Sequence, residues 1–93
     1  EQFTGRTLEQ YFQAQMIETG KYTMVGNWWD RKGENEIDLI ALNEFDHTGI
    51  IAEIKRNRHR ISLKDLQVKV NGLPHQSFGK YSFSLCGLSI DDM

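Results

Sequence analysis

Two acids and a lysine in the middle of the chain have the residue types of a divalent-cation site. Asp38 is followed fifteen residues later by Glu53, and Lys55 lies two residues beyond Glu53. Carboxylates and main-chain carbonyls are hard oxygen ligands, the kind that Mg²⁺ prefers. If the two acids meet, their like charges destabilise the pair. The sequence offers two remedies, a divalent cation between the carboxylates or the ammonium of Lys55.

The expected meeting of these acids depends on a hairpin between two strands. A loop centred on Phe45 and Asp46 pairs residues whose numbers sum to 91, so Asp38 faces Glu53. Directly opposed side chains share a face, with their β-carbons about 5 Å apart. An error of one residue in the register would move the two acids to opposite faces.

The elements that carry these residues follow from hydrophobic periodicity. Residues at helical spacing predict a helix over Gly5–Glu18, with an apolar face of Leu8, Tyr11, Phe12 and Met16. Aromatic, β-branched or alternating stretches predict strands over residues 22–30, 36–42, 49–56 and 81–86, with a second helix over residues 62–72. Short links make the first three strands an antiparallel meander, and the intervening helix makes the last two parallel. The predicted fold class is α/β, a mixed four-stranded sheet flanked by helices in the order α-β-β-β-α-β.

Capping residues mark the ends of both predicted helices. Thr4 or Thr7 can cap the start of the first helix, and Gly20 suits a left-handed stop after its end. Ser62, followed by Asp65 at the third helical position, begins the second helix with a sequence similar to a capping box.

The acids, the lysine and the order of elements together resemble the PD-(D/E)XK nuclease superfamily and its restriction-endonuclease-like core. The motifs that carry the resemblance are Glu36-Ile37-Asp38-Leu39-Ile40-Ala41 and Glu53-Ile54-Lys55. Gly5-Arg6-Thr7-Leu8-Glu9 is similar to the start of Holliday-junction-resolvase-like branches. A closer likeness is to the C-terminal nuclease-like domain of prokaryotic AAA+-type ATPases, carried by Gly26-Asn27-Trp28-Trp29-Asp30-Arg31 and Tyr81-Ser82-Phe83-Ser84.

The resemblance implies a metal-dependent endonuclease that hydrolyses DNA phosphodiesters with Mg²⁺ or Mn²⁺. The implied metal ligands are Asp38, Glu53 and the main-chain carbonyl of Ile54. Lys55 would orient or deprotonate the attacking water, or stabilise the transition state. Glu9 would join the metal site directly or through water.

Two further residues have auxiliary roles in this interpretation. Gln67, on the second helix, corresponds to a polar position that some branches of the superfamily use. Glu36 shares a face with Asp38 and would support the site from beside the ligands. The proline that precedes the first acid in the family is absent, since Ile37 stands there, and many relatives share that departure.

DNA is the implied partner, and basic residues beside the site are its candidate phosphate contacts. Four of the eleven Lys and Arg residues lie between Lys55 and Arg60, and Arg56, Arg58 and Arg60 would contact phosphates. The ATPase module of the same polypeptide is the second implied partner. A homodimer is the third, because nucleases of this class often act as dimers.

Composition narrows the classes of protein further. No apolar run approaches the roughly 18–20 residues of a membrane span, and the single cysteine, Cys86, excludes an internal disulfide and zinc-finger folds. These features predict no membrane association and a cytoplasmic location.

The net charge limits the kind of nucleic-acid binding to expect. A formal charge of −2 and a pI near 5.9 argue against nonspecific coating of nucleic acid, but not against a local basic groove. Because the sequence opens without an initiator methionine, we expect residues 1–93 to be a domain of a longer polypeptide, and the resemblance implies one nuclease-like domain of an ATPase chain.

Each assignment has an ordinary structural alternative. A strand acid is usually the solvent-facing half of an alternating pattern, and an acid such as Glu9 in the first turns of a helix interacts favourably with the helix dipole. Gln67 fits an exposed helix position, and the basic run fits a solvated loop. Trp28 and Trp29 can stack on exposed bases, or one of the pair can point into the core. The alternative function is a catalytically silent DNA-docking or regulatory, protein-interaction module that keeps the fold.

Overall fold

Helical and strand periodicities alternate along the chain, and the computed structural model, which describes residues 5–33 and 35–93, has the predicted order of elements. The elements are α1 (Gly5–Glu18), β1 (Met24–Trp29), β2 (Glu36–Asn43), β3 (Thr48–Ile54), α2 (Leu63–Asn71), α3 (His75–Phe78) and β4 (Ser82–Leu88). Short 3-10 turns occupy Arg58–Arg60 and Ile90–Asp92. The predicted α/β class and the order α-β-β-β-α-β are confirmed, with strand ends displaced by one or two residues.

The four strands form one sheet in the order β1-β2-β3-β4. Strands β1, β2 and β3 are antiparallel neighbours, and β3 and β4 are parallel, as the lengths of their connections predict. The β2–β3 register runs from Leu39 opposite Ala52 to Asn43 opposite Thr48. The numbers of every pair in this ladder sum to 91, which confirms the register expected from the hairpin.

Helices α1 and α2 cover opposite faces of the sheet. On the α1 face the buried core consists of Leu8, Phe12, Leu39, Ala52 and Ile54. On the α2 face it consists of Ile37, Ile40, Leu42, Ile51 and Leu66. The predicted apolar face of α1 is confirmed, because Leu8 and Phe12 are buried and Tyr11 and Met16 pack against them. Each helix therefore has one face of the sheet to bury against.

Strand β2 contains a bulge beside Asp38. Gly26 of β1 pairs with Ile40, but Trp28 pairs with Ile37, so two steps along β1 correspond to three along β2. The extra residue breaks the alternation of β2. Ile37 and Leu39, which would share a face in a regular strand, pack in the cores on opposite sides of the sheet. The sequence pattern did not predict this bulge.

The C-terminal end of α1 and both ends of α2 agree with the predicted start and stop residues. The hydroxyl of Ser62 accepts a hydrogen bond from the amide of Asp65 at 3.2 Å, and α2 ends just before Gly72. Gly20, beyond the end of α1, has a φ of +70°, a conformation that glycine adopts without the cost other residues bear. Thr4, one of the two caps considered for α1, lies outside the described residues.

The short helix α3 was not predicted. It begins after Pro74, whose φ of −58° suits a helix start, and a helix of four residues is too short to show periodicity. In the part of the chain that the structure describes, no helix combines the length and the apolar character needed to cross a bilayer.

The close approach of strands at Gly49 makes this position sensitive to a single methyl group. A β-carbon on buried Gly49 would lie 2.8 Å from the carbonyl oxygen of Ala41 and 2.8 Å from the ring of Phe83. We expect Gly49→Ala to lower the free energy of unfolding by about 1–3 kcal/mol, the usual cost of overpacking. Urea unfolding measures this change.

Gly26→Ala is the matched control, because Gly26 is also a strand glycine and a β-carbon there has no atom within 4 Å. This substitution should leave the free energy of unfolding unchanged or raise it slightly. Equal destabilisation by the two substitutions would contradict the packing described around Gly49.

Candidate functional site

Three carboxylates meet at one end of the sheet, on the α1 face. Glu9 comes from α1, and Glu36 and Asp38 come from the start of β2. Each contributes an oxygen atom that lies within 4.8 Å of the others. Glu36 is exposed, and Glu9 and Asp38 are half-buried. We call these three residues the acidic trio.

The bulge in β2 explains why Asp38 belongs to the trio. Leu39 packs under α1, and strict alternation would direct its neighbour Asp38 towards α2. The extra residue instead leaves Asp38 on the α1 face, where it is hydrogen-bonded to Glu9. Its Oδ2 atom also accepts a hydrogen bond from the amide of Ile54 at 2.9 Å. Asp38 is thus held against the end of β3.

The crowding of the three carboxylates changes the pKa of Glu9. Burial, the hydrogen bond to Asp38 and the charges of Asp38 and Glu36 raise the pKa of Glu9 from 4.5 to about 7. The charge of Lys55 acts in the opposite direction. Near neutral pH, Glu9 is therefore protonated in part of the molecules, and the trio has on average fewer negative charges than carboxylates.

Glu53 lies on the other face of the sheet. Glu53 lies between Ala52 and Ile54 in β3, and both of these neighbours pack under α1. Because successive side chains of a strand point to opposite faces, the side chain of Glu53 is directed towards α2. The side chain is only 7% exposed, and its Oε2 atom accepts a hydrogen bond from the amide of Ser62 at 3.0 Å. This amide precedes the first turn of α2, where the helix dipole favours a negative charge.

The expectation that Asp38 and Glu53 share a face is therefore wrong, although the register on which it was based is correct. The β2–β3 ladder ends one pair short of these residues, at Leu39 and Ala52. Each acid accepts a hydrogen bond from a different main-chain amide, Asp38 from Ile54 and Glu53 from Ser62. The repulsion expected between Asp38 and Glu53 arises instead between Asp38 and Glu9.

The remaining predicted residues divide between the two faces. Lys55 is exposed directly after β3, and its charge acts on Glu9. Gln67 is exposed on α2, where its amide donates to Asn71 at 3.0 Å, and the structure does not bring it to the acidic trio.

The candidate phosphate contacts are exposed in the segment after β3. Arg56 and Arg60 are exposed there, and Arg58 forms an ion pair with Asp92 at 2.8 Å. The sequence pattern did not predict the contact of Arg58 with Asp92. No sequence signal could have identified it, since Asp92 lies 34 residues from Arg58.

Cys86 has the environment of a structural cysteine. It packs against the core on the α1 face, and burial, together with the charge of Asp92, raises the pKa of its thiol. A raised thiol pKa reduces the thiolate fraction, which is the nucleophilic form. The structure therefore assigns no chemistry to Cys86.

The raised pKa of Glu9 predicts how the metal-free protein responds to pH. A carboxyl group whose pKa is higher in the folded state stabilises the fold below its unfolded pKa, and this contribution is lost as pH rises through about 7. Glu9→Gln removes the charge and keeps a hydrogen-bond donor for Asp38. In EDTA, the variant should therefore gain stability relative to the wild type as pH rises from about 5 to 8.

Urea unfolding at several pH values measures this difference. Glu18→Gln is the control, because it removes a carboxylate from the exposed end of the same helix. A stability difference between wild type and Glu9→Gln that does not change over this pH range would contradict the raised pKa of Glu9.

Comparison with known proteins places this site within a family. Residues 1–69 match the model of DUF234, described as archaea bacterial proteins of unknown function. The matched span includes α1, the first three strands and most of α2, and so contains the acidic trio, Glu53 and Lys55. Searches of curated proteins and of solved structures gave no significant match. The chain therefore belongs to the DUF234 family of archaeal and bacterial proteins.

Proposed function

We propose that the chain is a metal-dependent DNA phosphodiester hydrolase domain of the PD-(D/E)XK type, an endonuclease module attached to an ATPase. The observation that carries this proposal is the acidic trio with Lys55 beside it. The order of helices and strands, which is that of the restriction-endonuclease-like core, supports it.

The trio has the chemistry to hold Mg²⁺ or Mn²⁺. Its three carboxylates are hard oxygen donors, and their oxygen atoms lie within 4.8 Å of one another. Ligands about 2.1 Å from a central ion stand about 3–4 Å apart, which small side-chain rotations would achieve. The amide of Ile54 donates to Asp38, so the main chain of Ile54 lies beside the trio, within reach of a fourth ligand position.

The residues around the trio have the charges that phosphodiester hydrolysis requires. A bound divalent ion would activate water, neutralise developing charge on the phosphate and stabilise the leaving oxygen. Asp38 is held in place by the Ile54 amide. The ammonium of exposed Lys55 would orient the attacking water and attract the phosphate, and exposed Arg56 and Arg60 would contact the flanking phosphates.

A second candidate function is a catalytically silent DNA-docking or regulatory module of the same ATPase. The position of Glu53 favours this second function. The resemblance to PD-(D/E)XK nucleases makes Glu53 a metal ligand, but it is buried and accepts a hydrogen bond from the amide of Ser62 on the α2 side. Docking of DNA on Arg56 and Arg60 would require neither Glu53 nor an ion. Fold alone does not decide between these functions.

Substitutions at Asp38 and Lys55 separate the two functions. Asp38→Asn keeps an acceptor for the Ile54 amide but removes a charged ligand, so it should abolish cleavage and weaken Mg²⁺ binding at least tenfold. Lys55→Ala should leave Mg²⁺ binding intact and slow cleavage by roughly 100-fold or more, the usual effect of removing an electrostatic catalyst. The assays are calorimetry with Mg²⁺ or Mn²⁺ and cleavage of branched, nicked and linear DNA.

Asp46→Asn is the matched control, since Asp46 is an exposed acid in the β2–β3 hairpin, at the opposite end of β2 from the trio. It should behave as the wild type in both assays. If the wild type neither binds the ions nor cleaves any of these DNAs, the enzyme proposal fails. Retardation of DNA on a gel would then support the docking function.

Glu53 requires a separate test, because the structure gives it a structural role. Glu53→Ala leaves the Ser62 amide without its partner, and we expect a loss of about 1–3 kcal/mol in the free energy of unfolding. Glu53→Gln keeps the acceptor and should bind Mg²⁺ within about twofold of the wild type. A loss of Mg²⁺ affinity in Glu53→Gln as large as that in Asp38→Asn would make Glu53 a ligand after all.

A further inference from the structure

An exposed tryptophan stands beside the acidic trio. Trp29 is the last residue of β1 and pairs directly with Glu36. Directly opposed residues share a face and have β-carbons about 5 Å apart, so the indole of Trp29 adjoins a member of the trio. The Trp29 side chain is 61% exposed.

The alternation of β1 also places Trp29 on the α1 face. Val25, four residues earlier, packs against the core under α1. Trp28 packs against the core on the α2 face. Of the two tryptophans, Trp28 therefore belongs to the core, and Trp29 is available for contact. Within residues 5–33 and 35–93, β1 is an edge strand of the sheet, so no further strand of this part of the chain lies beyond Trp29.

The end of the sheet presents three kinds of group in a row. Trp29 stands at the end of β1, the trio lies at the start of β2, and Lys55 and Arg56 follow β3. Neighbouring strands are about 4.8 Å apart, so the row from Trp29 to Lys55 spans about 10 Å. This distance suits one nucleotide, with its base at the aromatic end and a phosphate at the cationic end.

We propose that Trp29 is a stacking platform for an unpaired DNA base, so that the site acts on single-stranded or branched DNA. This inference rests on the proposed function, which places the phosphodiester at the trio. Stacking on an aromatic side chain requires a base with a free face, and the bases inside a duplex have neither face free. Single strands, flaps and junctions supply such bases, and intact duplex does not.

Fluorescence tests the stacking directly, since the chain has two tryptophans. In a Trp28→Phe background, Trp29 is the single fluorescent tryptophan. Titration with a dT oligonucleotide should quench this signal in EDTA and in Mg²⁺, and titration with a blunt duplex of equal length should not. Quenching by both DNAs, or by neither, would overturn the proposal.

Binding measurements with Trp29→Ala give the second test. Loss of one base–aromatic stack should weaken affinity for the dT oligonucleotide about tenfold and leave duplex affinity within about twofold. Phe45→Ala is the matched control, because Phe45 is 87% exposed in the β2–β3 hairpin, away from the trio. It should leave both affinities unchanged. If Trp29→Ala weakens the affinities for both DNAs equally, or leaves the affinity for the dT oligonucleotide unchanged, stacking is contradicted. Trp29 would then be a contact for protein.

Cleavage distinguishes a failure of this inference from a failure of the proposed function. If the wild type cuts no DNA but Trp29→Ala loses dT affinity selectively, the hydrolase proposal fails and the stacking platform is supported. If the wild type cuts DNA and Trp29→Ala binds and cuts single strands as the wild type does, the hydrolase is supported and the platform is overturned.

Discussion

The bulge in β2 determines which acids of this chain can meet. Between the pairs Gly26–Ile40 and Trp28–Ile37, β2 has one residue more than β1. A bulge redirects the side chains around it, and here it leaves Asp38 on the face covered by α1. Ile37 remains in the core on the α2 face. Without the extra residue, Asp38 and Leu39 would point to opposite faces, and the acidic trio would lose its central member.

The acidic trio concentrates negative charge that the fold must accommodate. Main-chain amides donate to two of the strand acids, the Ile54 amide to Asp38 and the Ser62 amide to Glu53. Burial and the neighbouring carboxylates raise the pKa of Glu9 to about 7. A proton and a divalent cation are two ways to reduce the same repulsion. The site that we propose for Mg²⁺ is therefore the place where the fold already retains a proton.

The positions of the charged residues are more informative about this protein than its net charge. The formal charge is −2, yet acids gather at the trio, and Lys55, Arg56 and Arg60 lie exposed just beyond β3. Arg58 belongs to the same basic run, but its ion pair with Asp92 reduces the charge it can offer to a phosphate. The exposed indole of Trp29 completes this end of the sheet with an apolar surface. Aromatic, anionic and cationic groups thus lie side by side, as a nucleotide-binding surface would require.

Local features of the sequence determined the elements and their order. Periodicity predicted α1 and the strands, Ser62 predicted the start of α2, and the length of the hairpin predicted the register that sums to 91. These predictions succeeded because each depends on neighbours within a few residues along the chain. The helix α3 was not predicted because its four residues make only about one helical turn, too few to show an apolar periodicity.

Only the tertiary structure decided that Asp38 and Glu53 occupy opposite faces of the sheet. The bulge at Asp38 arises from pairing with β1, the burial of Glu53 from the docking of α2, and the ion pair of Arg58 from a residue 34 positions away. Alternation assigns faces correctly only in a regular strand, and one inserted residue reverses the assignment. The sequence by itself therefore determined that acids and a lysine come to one end of the sheet and that Glu36 shares a face with Asp38, and packing determined that Glu53 does not stand beside them.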